Sequence, residues 1–196
     1  MVINQKERWV FISPPKTAST TLTEVLTTQC GGVAREGRHA VRLPAECSDF
    51  LIFASVRNPY HRAQSLFRHR WLQLCRQQMD TKNPREALRG MKNPEELLTF
   101  ADFIAQIHET DLAPFYTFTL SRWLQRVPHV DALIHVERLE YDVSALPFVK
   151  NALDIPRMNC TAGLTRLDCE YTHSTAAEVW RWADEDFIQY GYGIDL

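Results

Sequence analysis

The sequence predicts a single α/β domain spanning residues 1–196, with a mainly parallel central sheet flanked by helices. Three observations predict it. Two continuous apolar runs, Trp9–Ile12 and Phe50–Val56, each end in a proline-containing turn and pass directly into a helical pattern. A third run, Ala132–Val136, returns late in the chain. Strands that alternate with helices build parallel sheets, and continuous apolar runs mark strands covered on both faces. An apolar content of 45% and no window of 18 uninterrupted apolar residues make the chain globular, without a transmembrane span.

The first unit is WVFISPPKTASTTLTEVL. Pro14 and Pro15 stop the strand because proline supplies no ladder donor. Either Thr17 or Ser19 can cap the next helix, and Leu22, Val25 and Leu26 give it an apolar stripe. Lys16 therefore sits where loop amides and a helix N-terminus converge, an arrangement that binds phosphate or a related oxyanion. Thr17, Ser19, Thr20 and Thr21 add short hydroxyl donors at the same place. The Walker A pattern is absent, since no glycine precedes Gly31.

Gly31 and Gly32 end the first helix. A polar connector with Arg35, Glu36, Arg38, His39 and Arg42 leads to the second strand. In Arg57-Asn58-Pro59, Asn58 suits an N-cap and Pro59 the first helical position. The helix runs through YHRAQSLFRHRWLQLC, with His61 and Ser65 four apart on one face. Residues 75–94 read as a loop or irregular helix, and 95–107 and 115–127 as helices. The segments 142–151 and 174–190 read as helices too, the last with a capping-box-like start at Ser174, Thr175 and Glu178.

Residues 35–92 hold 12 of the 22 Lys and Arg against 5 acids, whereas residues 93–196 hold 7 basic and 17 acidic residues. A basic segment beside an anion loop suits an anionic ligand, although two oppositely charged solvated faces would give the same count. No lysine-rich arm or recognised motif points to nucleic acid. Five cysteines without a CxxC pair read as reduced thiols. The N-terminus has no long apolar segment, so no secretory signal is expected and a cytoplasmic location is. The Asn159-Cys160-Thr161 sequon is then without consequence.

PPKTASTTL resembles the 5′-phosphosulfate loop of PAPS-dependent sulfotransferases, most closely the carbohydrate (family 2) branch, whose pattern is near PKTGGTTL. Ala18 and Ser19 stand where that pattern has glycines. VRNPYHRAQSLF resembles the family's 3′-phosphate motif, whose arginine and serine are eight apart, as Arg57 and Ser65 are. GRHAVRL resembles the segment that carries a "HA" dipeptide. Looser likenesses cover Glu137, the 156–173 loop with Arg166, and the C-terminal DEDFIQYGY.

The resemblance implies a P-loop-kinase-like three-layer fold and transfer of a sulfuryl group from PAPS to a hydroxyl or amine of a carbohydrate or glycan, releasing PAP. Pro15, Lys16, Thr17, Ala18, Ser19, Thr20 and Thr21 would bind the 5′-phosphosulfate, with either Thr20 or Thr21 supplying a hydroxyl. Arg57 and Ser65 would grip the 3′-phosphate. Lys16 would stabilise the leaving oxygen and His39 would take the acceptor's proton. No metal is called for, and no HExxH or clustered ligand spacing suggests one. A P-loop-type nucleotide kinase and a non-catalytic nucleotide-binding module are the alternatives.

Overall fold

A computed structural model describes residues 1–35, 37, 39–78, 97–107, 118–156, 158 and 167–193. The chain divides into two compact units, residues 1–58 with 118–158 and residues 59–117 with 159–196.

The first unit is built on an open five-stranded sheet. Its strands are β1 (Val2–Asn4), β2 (Trp9–Ile12), β3 (Val33–Ala34), β4 (Leu51–Val56) and β5 (Ala132–His135). The order is β3-β1-β2-β4-β5. Strands β2, β4 and β5 run parallel, whereas β1 is antiparallel to both β2 and β3. The sheet is therefore mixed, which corrects the mainly parallel expectation. The missed part is an N-terminal hairpin. Val2-Ile3-Asn4 is too short to show a strand period, and its register is instead held by the turn. There Asn4 Oδ1 accepts from the Glu7 amide at 2.8 Å and Arg8 takes φ +56°.

Helix α1 (Ser19–Thr28) follows β2, and Leu22 and Leu26 pack on Trp9, Phe11 and Phe53 of the sheet. Burying each such leucine or phenylalanine contributes on the order of 1.5–3 kcal/mol. Trp9 also stacks on Phe148, with ring centroids 4.6 Å apart. That packing explains Gly32: a Cβ there would come within 2.6 Å of Trp9. Gly31 makes the turn with φ +66°.

Asp131 fixes the start of β5, as its Oδ2 accepts from the Ile52 amide at 2.7 Å. Two short helices complete this unit, α4 (Leu120–Leu124) and α5 (Leu139–Ser144). The expected helix at 142–151 is thus placed earlier. Arg138 is the cap residue and Ala145 already closes the helix.

The second unit contains α2 (Pro59–Gln78), α3 (Phe100–Ala105) and α6 (His173–Gln189). Phe67, Trp71, Phe103 and Phe187 form its core. Fully buried Arg62 lies with its guanidinium 5.3 Å from the Trp182 ring centroid, so a cation rests on an aromatic face instead of water. Helix α2 runs through Cys75 as expected and continues to Gln78, into the stretch read as a loop or irregular helix. Helix α6 starts one residue earlier than expected, at His173, and is capped by a reciprocal Thr172–Thr175 box. Its backbone departs from helical values at Ala183.

Among the described residues, no helix is long and apolar enough to cross a membrane. Cys30, Cys47, Cys75 and Cys169 are free thiols; Cys160, the sequon and Arg166 lie outside the described residues. Burial pushes the Cys75 thiol up to about 11, so it is no nucleophile at neutral pH.

Candidate functional site

The loop from Ser13 to Ala18 leaves the carboxyl end of β2 and enters α1, in the first unit. Its backbone is unusual for residues that are not glycine. Lys16 has φ +69° and Ala18 φ +56°, with Thr17 between them outside the positive-φ region. Alternation of hand along successive residues turns their N–H groups toward a common point, which makes an anion-binding concavity. Ala18 occupies the cap position of α1, where it contributes no side-chain acceptor. The positive end of the helix therefore faces the same concavity.

Neither Thr17 nor Ser19 is the cap. Thr17 instead anchors the loop to the sheet. It is fully buried, and its hydroxyl donates to the Pro14 carbonyl at 2.7 Å. Ser55 Oγ lies 2.7 Å from the same oxygen. Since the Thr17 proton is committed to a carbonyl, the Ser55 hydroxyl donates to Thr17. The only polar side chain inside the apolar run FLIFASV is Ser55, and that was a readable signal. Pro14 and Pro15 are buried under the loop, and Lys16 is half-buried. Ser19 and Thr21 are buried while Thr20 is partly exposed, which makes Thr20 the better-placed hydroxyl.

Two further groups predicted from sequence meet this loop. Arg57, just beyond β4, donates from Nη1 to the Lys16 carbonyl at 3.3 Å. A guanidinium carries five N–H donors, so holding the loop is compatible with binding a phosphate. His39 lies with Nδ1 2.7 Å from the Ser13 carbonyl oxygen. Because a carbonyl only accepts, Nδ1 carries the proton, and in the neutral imidazole Nε2 holds the lone pair. The ring also meets Trp123 edge-on, with centroids 6.4 Å apart. Lys16, Arg57 and His39 are thus brought to one loop. Ser65 is half-buried on α2 in the second unit, and its assignment rests on motif spacing. Glu36 lies outside the described residues.

A second cluster forms at the carboxyl end of β5. Asp142 of α5 accepts from the His135 amide and from His135 Nδ1, both at 2.8 Å, and pairs with Arg138 Nε at 2.9 Å. Burial pushes the Asp142 carboxyl up, but these hydrogen bonds and the Arg138 charge outweigh it and hold the group below the usual range. Beside it, Glu137 Oε1 accepts from the Asn58 amide at 2.9 Å. Asn58 is the residue after Arg57, so the β5 corner touches the turn that presents Arg57. Sequence reasoning singled out Glu137 but not Asp142 or His135.

No protein-family model matches the chain, and neither the curated proteins nor the solved structures yield a match.

Proposed function

We propose that the chain is a PAPS-dependent sulfotransferase acting on a hydroxyl or amine of a carbohydrate or glycan. The carrying observation is the Ser13–Ala18 loop. A left-handed Lys16 and Ala18 frame an anion concavity at a helix N-terminus, with Arg57 and His39 hydrogen-bonded to the same loop. The parallel β2, β4 and β5 agree with a P-loop-kinase-like arrangement, in which ligands lie beyond the carboxyl ends of such strands. Free thiols at the four described cysteines fit a reducing, cytoplasmic setting.

In this reading the loop amides, Lys16 and Thr20 hold the 5′-phosphosulfate, and Arg57 serves the 3′-phosphate. The acceptor oxygen attacks sulfur, forming a new S–O bond while the S–O bond to the 5′-phosphate breaks and PAP leaves with the electron pair. His39 Nε2 takes the acceptor proton, and Lys16 neutralises charge growing on the leaving oxygen. Positioning and charge stabilisation dominate, as in phosphoryl transfer.

The test is transfer from radiolabelled PAPS to a panel of glycans and small alcohols, with and without magnesium. Label should reach an acceptor, and Lys16→Ala should cut turnover by roughly 10²–10³ while weakening PAP binding less. Transfer from magnesium ATP instead would make the chain a kinase. PAP binding without transfer to any acceptor would make it a binding module.

A further inference from the structure

We infer that Glu137 is a positioning residue that sets the placement of Arg57 against the Lys16 loop; the ligand side of this inference rests on the reading of the loop as a PAPS site. Three contacts in the first unit carry it. The β5 corner is fixed by Asp142, which binds the His135 amide, the His135 ring and Arg138. From that corner Glu137 Oε1 reaches the Asn58 amide at 2.9 Å. Directly before Asn58, Arg57 donates to the Lys16 carbonyl at 3.3 Å. A side chain on one strand end thus holds the backbone of the neighbouring strand end, whose next side chain holds the loop.

A carboxylate is an unexpected group at this place. Its charge opposes an anion nearby, so electrostatics alone would favour its removal. Its value lies in the acceptor oxygen, which fixes a backbone N–H and with it the direction in which Arg57 leaves the strand. Three accounts of the carboxyl predict different outcomes. If the acceptor matters, Glu137→Gln keeps function because an amide oxygen still accepts, whereas Glu137→Ala loses it. If only charge matters, both substitutions strengthen anion binding. If the carboxyl moves a proton, both abolish turnover.

The experiment measures PAP and AMP affinity by calorimetry, and exchange of the Asn58 amide proton by NMR, in the wild type and both variants. Glu137 is exposed, so both variants should fold. In Glu137→Ala, Asn58 exchange should quicken and PAP affinity should fall about tenfold while AMP affinity changes less than about twofold. Glu137→Gln should stay within about twofold of the wild type on every measure. Unchanged exchange in the alanine variant overturns the inference, as does stronger PAP binding in both variants or equal damage in both. A wild type that binds neither nucleotide overturns the sulfotransferase reading alone, because the exchange measurement needs no ligand and still decides the role of Glu137.

Discussion

The carbonyl oxygen of Ser13 lies 2.7 Å from Nδ1 of His39, tying the imidazole to the first residue of the loop that carries Lys16. This contact settles the tautomer and leaves Nε2 as the basic nitrogen. His39→Ala should cut sulfuryl transfer by about 10²–10⁴ and leave PAP affinity nearly intact. His39→Gln should be as inactive, since an amide can replace the hydrogen bond to Ser13 but cannot take a proton. Single-turnover rates and PAP titrations check both. Full activity in either variant would move the base elsewhere.

Ala18 stores strain that glycine would relieve. An L-residue in the left-handed region costs roughly 1–2 kcal/mol, and Ala18 sits there at φ +56°. Glycine gives back about 0.4–1 kcal/mol through the freedom of the unfolded chain. It is also a better cap residue than alanine. Ala18→Gly should therefore stabilise the chain by about 0.5–1 kcal/mol, a shift of only a few degrees in Tm. Ala18→Val should destabilise it, as a β-branched residue is poorly suited to that conformation. Thermal or urea unfolding measures both. A glycine variant less stable than the wild type would show that the loop carries no such strain.

Arg57 should govern discrimination between nucleotides. PAP should raise the Tm of the wild type well above the shift given by AMP, because binding only to the folded state stabilises it. Arg57→Ala should erase most of that difference, each charge-assisted hydrogen bond being worth on the order of 1.5–3 kcal/mol. Some loss against AMP is expected too, since the same guanidinium holds the Lys16 carbonyl. A larger shift with magnesium ATP than with PAP would favour the kinase alternative.

The parallel part of the fold was legible because each of its strands is a continuous apolar run joined to a helix. Trp9–Ile12, Leu51–Val56 and Ala132–His135 all form where the runs stood. The hairpin strand was not, since Val2-Ile3-Asn4 owes its pairing to the Asn4–Glu7 turn and to its neighbours β2 and β3. Local patterns also misled at the caps. Thr17 looked like a helix cap because threonine is a good one, but its hydroxyl is taken by Pro14 and Ser55, and Ser55 is 38 residues away in the chain. At the site, Lys16 and Arg57 stand at strand ends, where topology makes position readable. Asp142 was invisible because its role depends on His135 and Arg138 folding back across a corner, which no period in LEYD announces.

Asp142 should make stability depend on acid in a defined direction. Burial opposes its charge, yet the His135 amide, the His135 ring and Arg138 hold the carboxyl below its ordinary value. A depressed carboxyl binds its proton less readily when folded than when unfolded. Its contribution is therefore complete above the unfolded value of about 3.9 and is lost as pH falls through the lower folded value. Asp142→Asn should cost about 1–3 kcal/mol at pH 7, as a nearly buried charge-assisted acceptor is removed. Arg138→Ala should cost under about 1 kcal/mol, because its side chain is 58% exposed and solvent already screens the pair. Urea unfolding at pH 7, 4.5 and 3 follows the gap between wild type and Asp142→Asn. That gap should hold to about pH 4 and narrow below it. A gap that stays constant to pH 3 would mean that the carboxyl titrates alike in the folded and unfolded chain and that its partners do not lower it. A gap that widens as pH falls from 7 toward 4 would mean that burial wins and the carboxyl is raised.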